Sequence, residues 1–459
     1  MLYNKLMKTN KFSQIKLFTI AIILLLTVSC GGGGGGGNAA STDDSADVGP
    51  IGFLAYTPDT SECTETAQRE FIYTAMHDVY LWSSNTPSLS PTSYSSNTEL
   101  LNALKYSADK WSYVISQADY NAYYSGDNIG MGFKYAYSAL NNEIFLTFVY
   151  PGSPADNASL ERGYELTNIN GYSATDIIQN SSWDDAFGPN ELGYNVGLTY
   201  IDNNNNTGTV SLTKDTYTAD SVPAYDIFTN NSNGEKIGYL LYLHFNSNYT
   251  SDLSAAFTAF RDNGVKELVI DLRYNGGGQT SAARYIASAV AGSSLAYEIL
   301  YYYIHNTRYS SWNRAVALTA PSYDLAVDKV VFLVSDKTAS SSELLITGLQ
   351  PYISTYLIGS DTYGKPAGMY SFPFCSNYLV PISFQTYNSA GYGEYYSGVP
   401  VDCDDTDDLE HQLGDPNERM LQNAINYLEN GTCLSRSRTK TNDLKAEERE
   451  GIYRVFNFR

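Results

Sequence analysis

The chain has 459 residues, of which 43% are hydrophobic and 17% are charged. This length is sufficient for two or three domains, and the composition favours packed cores over disorder. The formal net charge of −21 argues against a nucleic-acid-binding protein, because binding to phosphates requires a basic surface.

The N-terminus has the pattern of a targeting signal. Four lysines precede the apolar run LFTIAIILLLTVS, which is short for a bilayer span and ends at Cys30. This resembles a bacterial lipoprotein processing site, although Thr27 stands where leucine is usual. We expect residues 1–30 to be a lipoprotein signal peptide with Cys30 lipidated; the alternative is an ordinary signal peptide with an unrelated cysteine. The glycine-rich residues 31–62 would tether the protein flexibly to a membrane of the cell envelope, on its periplasmic face or at the cell surface.

The remaining chain divides into regions of different local pattern. Residues 63–125 are predicted to be helical, because apolar residues in TAQREFIYTAMHDVYLW recur near a helical period. Residues 126–218 contain short β-rich runs broken by glycine and asparagine. Strands alternate with helices over residues 219–433, which predicts an α/β domain with a mixed, mostly parallel sheet. Residues 434–459 form a basic tail without a predicted function.

Four cysteines follow the signal segment, and an even number in an oxidising compartment suggests two disulfides with three possible connectivities. We expect Cys375 to pair with Cys403, because the two flank one strand-and-loop stretch. Cys63 would then pair with Cys433 and join the start of the globular region to its end. The sequence has no CxxC motif or histidines at ligand spacing, so neither a metal nor another cofactor is predicted.

Three polar loops follow three of the predicted strands. DLRYNGGGQT follows the strand at 267–272, SDKTASSSE the strand at 330–334, and GSDTYGKPAG the strand at 354–359. Functional groups of α/β sheets usually gather at the carboxyl ends of the strands. The three loops offer, in turn, backbone amides, serine hydroxyls and one lysine, Lys365.

These groups are sufficient for nucleophilic catalysis by a serine. The hydroxyl needs a base, and a lysine can serve when burial lowers its pKa. Amides of the glycine loop, and the amide after the nucleophile at a helix N-terminus, can hold the oxyanion. Each motif alone has a simpler explanation: Ser340 and Glu343 match a helix capping box, and a lysine in a turn is usually solvated. A Ser-His-Asp site, for example with His244, is a weaker alternative.

The joint occurrence of the three loops resembles the C-terminal processing (tail-specific) peptidases, which are serine peptidases with a Ser-Lys site. Their pattern DLRxNxGG, then a serine- and alanine-rich stretch ending in glutamate, then TxGK, matches residues 271–278, 338–343 and 362–365. In the family the nucleophile lies three residues before the glutamate and 25 before the lysine. Both spacings select Ser340, and the resemblance implies Lys365 as its general base. With the chemistry above, the oxyanion amides are expected from Gly277 or Gly278 and from Ser341.

The resemblance extends over roughly residues 65–430 and implies a ClpP/crotonase-like peptidase domain preceded by a PDZ-like domain. GMGFKY resembles the PDZ carboxylate-binding loop, and PGSPADNASLERGYELTNINGYSA resembles the family stretch that follows it, with Tyr164 in place of aspartate. Domains of this type bind the C-terminus of a peptide as an added strand. The residues implied in substrate binding are Gly130, Met131, Gly132 and Phe133.

One position departs from the family pattern. Met369 stands where a glutamine often orients the lysine, and neither Gln350 nor Asn275 can be assigned that role from the sequence. We therefore predict a dyad of Ser340 and Lys365. Three charged residues are expected to be structural, holding the glycine loop or capping the helix: Asp271, Arg273 and Glu343.

The sequence thus predicts a serine endopeptidase of the cell envelope that acts on proteins with exposed C-termini. It would contact a membrane only through a lipid anchor and would bind no nucleic acid. The main alternative is a catalytically silent peptide-binding lipoprotein on the same fold. A serine esterase is less favoured, because the sequence has no GxSxG nucleophile elbow.

Overall fold

The computed structural model describes residues 63–125, 127–435 and 444–445. Cys30, the predicted signal peptide and the predicted tether lie outside this part of the chain. Within it, no helix combines the length and the apolar character that a bilayer crossing requires.

The first region is only partly helical. Its elements are α1 (Glu65–Asp78), α2 (Asn97–Leu104), β1 (Tyr113–Ser116) and α3 (Gln117–Ser125). Helix α1 begins after Thr64, whose hydroxyl accepts a hydrogen bond from Ala67 N at 3.2 Å, as expected for an N-cap. Strand β1 pairs antiparallel with Asn377–Val380, far along the chain. A local periodicity analysis could not detect that pairing.

The second region is β-rich, as predicted. Its elements are β2 (Asp127–Gly130), β3 (Phe133–Ser138), β4 (Glu143–Val149), α4 (Pro154–Asn157), β5 (Glu165–Ile169), β6 (Tyr172–Ser173), α5 (Ala174–Asn180), α6 (Trp183–Phe187), β7 (Asn195–Ile201), β8 (Thr207–Thr213) and β9 (Asp215–Thr218). Strands β3, β4, β5, β7 and β8 lie side by side in one sheet, and β2 pairs with β9. The region has its own apolar core, which includes Phe133, Leu146, Ile169 and Leu198.

The third region alternates strands and helices, as predicted. Its elements are β10 (Ala224–Thr229), β11 (Lys236–Leu241), α7 (Tyr249–Asp252), α8 (Ser254–Asp262), β12 (Val265–Asp271), α9 (Thr280–Ala291), β13 (Ile299–His305), β14 (Arg314–Ala317), β15 (Lys329–Val334), α10 (Ser341–Leu349), β16 (Ser354–Gly359), β17 (Ala367–Met369), β18 (Phe372–Phe374), β19 (Asn377–Val380), β20 (Ile382–Asn388), β21 (Cys403–Asp404) and α11 (Arg419–Asn430). In the basic tail, β22 (Leu444–Lys445) pairs with β3.

The main sheet of this region has the order β10-β11-β12-β15-β16-β21. Only the β10–β11 pair is antiparallel, so the prediction of a mixed, mostly parallel sheet is confirmed. Both faces are buried: Leu268 and Ile270 of β12 belong to one core, and Val269 between them belongs to another. Helices α8, α9 and α10 cover the first face and α11 covers the second, so the consecutive apolar residues Leu268, Val269 and Ile270 are buried on both faces.

A second, antiparallel sheet lies beside α10 and has the order β14-β13-β20-β17. A three-stranded sheet, β1-β19-β18, joins the first region to the third. Sequence analysis did not resolve these two sheets, because their strands pair with partners that are not adjacent in sequence.

The expected disulfide connectivity is wrong. Cys63 pairs with Cys375, and Cys403 pairs with Cys433, each with a Cα–Cα separation of 5.6 Å. The physical reason is tertiary packing. Cys375 lies in the turn between β18 and β19, and α1 packs there, with the rings of Phe71 and Phe374 stacked at 5.0 Å. Cys403 lies on β21, which borders the same core as α11, and Cys433 follows the end of that helix.

Candidate active site

The three polar loops meet at one edge of the main sheet. Strands β12, β15 and β16 are parallel neighbours, so their carboxyl ends lie next to one another. Thr338 joins the loops, because its hydroxyl donates to Leu272 O at 2.8 Å and its carbonyl accepts from Tyr363 N at 2.9 Å. The gathering of the glycine, serine and lysine loops therefore follows from the order of the strands.

The three consecutive serines have different environments. Ser341 Oγ donates to Gly278 O at 2.6 Å, and Ser342 Oγ donates to Asn275 O at 2.9 Å, so both hydroxyls are held by the glycine loop. Ser340 is the N-cap of α10, lines a pocket, and has a positive φ of 56°. Such a backbone conformation is costly for a residue other than glycine and is concentrated at functional sites.

The glycine loop approaches Ser340 closely. A Cβ atom on Gly277 would lie 2.8 Å from both Ala339 O and Ser340 Cβ, so no larger residue fits there without a shift. The amide of Gly277 donates to Asn275 Oδ1 at 2.9 Å. The amides of Gly278 and Ser341, in contrast, donate to no acceptor within the described residues. These two amides are therefore available to an oxyanion, whereas that of Gly277 is already used.

Lys365 lines the same pocket as Ser340, and its side chain is 5% exposed. Burial lowers the pKa of Lys365 to about 8, against the opposing effect of the Asp109 and Glu343 carboxylates. Its ammonium nitrogen lies 3.4 Å from Met369 Sδ, to which it donates a hydrogen bond. The residue that departs from the family pattern is thus the one that contacts the lysine.

Glu343 does more than cap α10. Its buried carboxylate accepts from Ser340 N at 2.9 Å, Gly364 N at 2.7 Å and Lys365 N at 2.8 Å, and also from the hydroxyl of Thr362. Burial raises the pKa of Glu343 to about 7, although these hydrogen bonds oppose the shift. The carboxylate therefore joins the backbone of the serine loop to that of the lysine loop.

The pocket beside Ser340 has largely apolar walls and an empty volume of about 210 Å³, including its open mouth. Its remaining lining residues are Thr280, Ser341, Leu344, Ala367, Gly368, Phe384 and Thr386. None of the four histidines lines it. His244 is hydrogen-bonded to Tyr150 at 2.8 Å, and His305 to Tyr370 at 3.0 Å.

A buried network of ion pairs holds the first residues of the glycine loop. Arg273 is 1% exposed and contacts Asp271 at 2.9 Å, Glu418 at 2.6 Å and Asp407 at 2.8 Å. The sequence prediction that Asp271 and Arg273 hold this loop agrees with these contacts. Gln350 ends α10 in an exposed position, and Asn275 binds Tyr242 O and Gly277 N, so neither orients Lys365.

The β-rich region reaches the same loop through two buried cations. Arg162 donates to Thr147 O and to the Tyr274 hydroxyl, both at 2.6 Å, and pairs with Asp407. Lys134 donates to Tyr274 O at 3.0 Å. Sequence analysis missed both residues, because lone basic residues in a β-rich stretch give no signal of a contact more than 100 residues away.

The predicted carboxylate loop lies between β2 and β3. Met131 and Phe133 are buried, at 0% and 1% exposure. Their neighbour Gly132 accepts at its carbonyl from Tyr150 N at 2.9 Å and from Ser153 Oγ at 3.1 Å. Gly130 is the last residue of β2. None of these four residues lines the pocket that contains Ser340 and Lys365.

No group of three or more histidine, cysteine, aspartate or glutamate side chains in the described ranges is arranged to hold a metal ion. The polar groups that line the pocket include the Ser340 hydroxyl and the Lys365 ammonium. The chemistry that this arrangement permits is nucleophilic attack by a hydroxyl with a lysine as base.

Comparison with known proteins shows which families this chain resembles. Residues 236–404 match the sequence model of Peptidase family S41, and residues 67–113 match that of the Peptidase S41 N-terminal domain. These residues contain β11 to β21 and most of the first region, including Ser340 and Lys365. The matches support placement of the chain with the S41 peptidases.

Curated proteins with similar sequences include carboxyl-terminal-processing peptidases. A carboxyl-terminal-processing protease from Picosynechococcus sp. is 29% identical over 242 residues, covering 52% of this chain and 55% of that protein. A chloroplastic carboxyl-terminal-processing peptidase from Arabidopsis thaliana is 28% identical over 222 residues, covering 47% of this chain and 41% of that protein. The chain therefore spans about half the length of the curated relatives it matches.

The fold itself is shared with a solved structure. A protein from Bacteroides fragilis, described as an S41 protease, superimposes with a TM-score of 0.64 at 24% identity, covering 79% of this chain and 97% of that one. The mixed sheets and helices of this chain are thus those of an S41 protease fold.

Proposed function

We propose that this protein is a serine endopeptidase that uses Ser340 as nucleophile and Lys365 as general base. The observation that carries the proposal is the shared pocket, which contains a serine of strained backbone conformation and a buried lysine whose pKa is lowered to about 8. The resemblance of the three loops to the C-terminal processing peptidases and the match to Peptidase family S41 support it.

In the proposed reaction, Ser340 Oγ attacks the carbonyl carbon of the scissile peptide while its proton passes to neutral Lys365 Nζ. Neutral Nζ can accept this proton on its lone pair while an N–H still donates to the Met369 sulfur, as it does in the structure. The tetrahedral oxyanion accepts hydrogen bonds from Gly278 N and Ser341 N. Lys365 then protonates the leaving amine, and water, activated by the same lysine, hydrolyses the acyl-enzyme.

We further propose that the β-rich region acts as a PDZ-like domain and recognises the C-terminus of a substrate protein. The loop of residues 130–133 precedes β3, which is the arrangement expected for a carboxylate loop followed by a strand that receives the peptide. Lys134 and Arg162 connect this region to Tyr274 of the glycine loop. Recognition of a tail can therefore affect the oxyanion site directly.

The substrates we propose are proteins of the cell envelope with exposed C-terminal tails. This location, and attachment through a lipid on Cys30, rest on the sequence pattern of the first 62 residues, which lie outside the described residues. A metal ion or other cofactor has no role in the proposed reaction.

The test compares Ser340→Ala with Ser342→Ala in the cleavage of an unfolded protein that ends in apolar residues. Ser342 is a matched control, because its hydroxyl is held by Asn275 O and takes no part in the proposed chemistry. We expect Ser340→Ala to lose at least about 10³-fold in kcat, in the range known for removal of a nucleophile, and Ser342→Ala to lose far less. Equal rates for wild type and Ser340→Ala would support the catalytically silent alternative.

A further inference from the structure

The basic tail forms a strand on the β-rich sheet. Strand β22 pairs antiparallel with β3, with Leu444 opposite Ser138 and Lys445 opposite Tyr137. Without β22, β3 would be the edge strand on this side of the sheet. The unpaired amides and carbonyls of an edge strand form a template for another extended segment.

This edge is the one that a substrate tail would need. Strand β3 starts at Phe133, directly after the loop proposed to bind a carboxylate. From Leu444 to Lys445 the opposing residue changes from Ser138 to Tyr137, so the tail runs toward that loop. A peptide whose C-terminus approaches the loop must add in the same direction. The tail therefore uses the same hydrogen-bonding groups, in the same orientation, as a substrate.

The face of β3 next to this edge is bounded by helix α6. The ring of Tyr135 stacks on Trp183 at 5.3 Å and on Phe187 at 5.2 Å, and Tyr137 contacts Trp183 at 5.2 Å. Strand and helix are thus packed together, and an added strand lies along an ordered aromatic boundary. An extended segment can bind there without remodelling the sheet.

We propose that the C-terminal segment around Leu444–Lys445 is an intramolecular ligand that occupies the β3 edge and competes with the C-terminal tail of a substrate. This inference rests on the PDZ-type recognition in the proposed function. It makes the enzyme selective, since a substrate must displace the tail before it can bind to β3.

The attachment of the tail makes the competition effective. Cys433 is bound to Cys403 on β21, and Ser435 O accepts a hydrogen bond from Arg419, so the start of the tail is fixed on the third region. Eleven residue steps lead from Cys433 to Leu444, which extend to at most about 40 Å. A tether of this length gives an effective concentration of about 1 mM.

Charge also favours the docked tail. Residues 434–459 carry seven basic and four acidic side chains, whereas the whole chain has a net charge of −21. The tail is therefore attracted to the rest of the molecule, with a strength that salt reduces. A substrate tail with an acidic or neutral end would lack this attraction.

The experiment measures peptide binding in the Ser340→Ala background, so that cleavage does not interfere. A fluorescein-labelled decapeptide ending in valine is titrated with the full chain and with a chain that ends at Ser435, which keeps both disulfides. We expect the shortened chain to bind the peptide at least about five-fold more tightly, because the internal competitor is gone. An unlabelled peptide of residues 436–459 should compete with the decapeptide on the shortened chain.

A point-variant pair tests the strand pairing itself. Leu444→Pro together with Lys445→Pro removes whichever of the two amides faces β3, and should reproduce the effect of shortening. Ser437→Pro, placed before the paired residues, is the matched control and should bind the decapeptide as the full chain does.

The outcomes separate this inference from the proposed function. If neither chain binds the decapeptide, and its amidated form behaves identically, the PDZ-type recognition is wrong and the inference falls with it. If both chains bind it equally, recognition stands and the inference is overturned. If the difference between the chains disappears on dilution, the tail occupies another copy of the protein, which also overturns it.

Discussion

Lys365 shows how one buried side chain determines the pH range of a site. At its ordinary pKa of about 10.4, a lysine is neutral in only about 1 molecule in 2,500 at pH 7. Burial lowers the pKa of Lys365 to about 8, and about a tenth of the molecules then hold a neutral amine at the same pH. The larger neutral fraction comes from desolvation, which disfavours the ammonium form and lowers the pKa of Lys365. The Asp109 and Glu343 carboxylates limit this lowering of the pKa.

The first prediction concerns Lys365 and Met369. Since the base must be neutral, kcat/KM should rise with pH and level off above about 8. Met369→Gln places an amide oxygen near Nζ, which stabilises the ammonium more than the thioether does at 3.4 Å. We therefore expect kcat/KM of Met369→Gln to rise at higher pH than kcat/KM of the wild type. Met369→Leu has no acceptor, so the rise in its kcat/KM should not move to higher pH. The measurement is the pH profile of kcat/KM for the three proteins.

A Met369→Gln profile that rises at the same pH as that of the wild type would mean that the side chain at position 369 does not influence the pKa of Lys365. If the residual activity of Lys365→Ala still rises with pH in the same range, a group other than Lys365 is responsible for the pH dependence.

At the scale of elements, α10 and the loop after β16 are joined by one carboxylate. Glu343 accepts three backbone hydrogen bonds at 2.7–2.9 Å, from Ser340, Gly364 and Lys365. The proposed nucleophile Ser340 is the N-cap of this helix, and the proposed base Lys365 lies in the loop. The relative position of the two proposed catalytic groups therefore depends on this buried side chain, which binds the backbone beside both of them.

The second prediction follows from that contact. Glu343→Gln keeps the shape but replaces one acceptor oxygen by an NH₂ group, which faces backbone donors. We expect the free energy of unfolding to fall by about 1–3 kcal/mol, the cost of unsatisfied buried groups. The kcat should fall more than KM changes, because the substrate pocket remains. Thermal unfolding and steady-state kinetics measure both effects.

The exposed Glu394 provides the control, since Glu394→Gln changes charge by the same amount without a buried partner. Equal effects of the two substitutions on kcat would show that Glu343 acts only through net charge.

At the scale of the whole molecule, the β-rich region and the third region share a buried ion network. Arg162 is 2% exposed and binds Asp407, Tyr274 and three backbone carbonyls, those of Thr147, Asp408 and His411. Burial alone would raise the pKa of Asp407, but the guanidinium groups of Arg162 and Arg273 lower it to about 2. The two regions are thus held together by charge as well as by apolar packing.

The third prediction is that Arg162→Met destabilises the protein by about 3 kcal/mol, because it leaves buried acceptors and part of the Asp407 charge unpaired. Arg261→Met is the matched control: Arg261 and Asp262 are 46% and 58% exposed, and such pairs contribute about 0–1 kcal/mol. Urea denaturation of both variants measures the difference. A loss of less than 1 kcal/mol in Arg162→Met would contradict a structural role for the network.

Much of the third region could be predicted from the sequence, because its elements are defined by local patterns. The alternation of apolar strands with helices predicts β11, β12, β15 and β16, and the order of these parallel strands brings the three following loops together. The spacing from Ser340 to Glu343 and Lys365 is likewise a property of the sequence alone. The secondary structure of the first region was harder to predict, since β1 is stabilised by a strand that lies far along the chain.

The sequence by itself indicated three polar loops that follow strands of an α/β pattern, and the resemblance of these loops to a known family selected Ser340 among the three serines, because loop composition and residue spacing are read directly from the chain. Only the tertiary structure decided the features that depend on packing between distant segments. It joined Cys63 to Cys375 rather than to Cys433, and among the described residues it left the amide of Gly278, rather than that of Gly277, without an acceptor. It also placed Met369 against Lys365 and the tail against β3. Each of these contacts depends on the relative positions of whole elements, which no local pattern specifies.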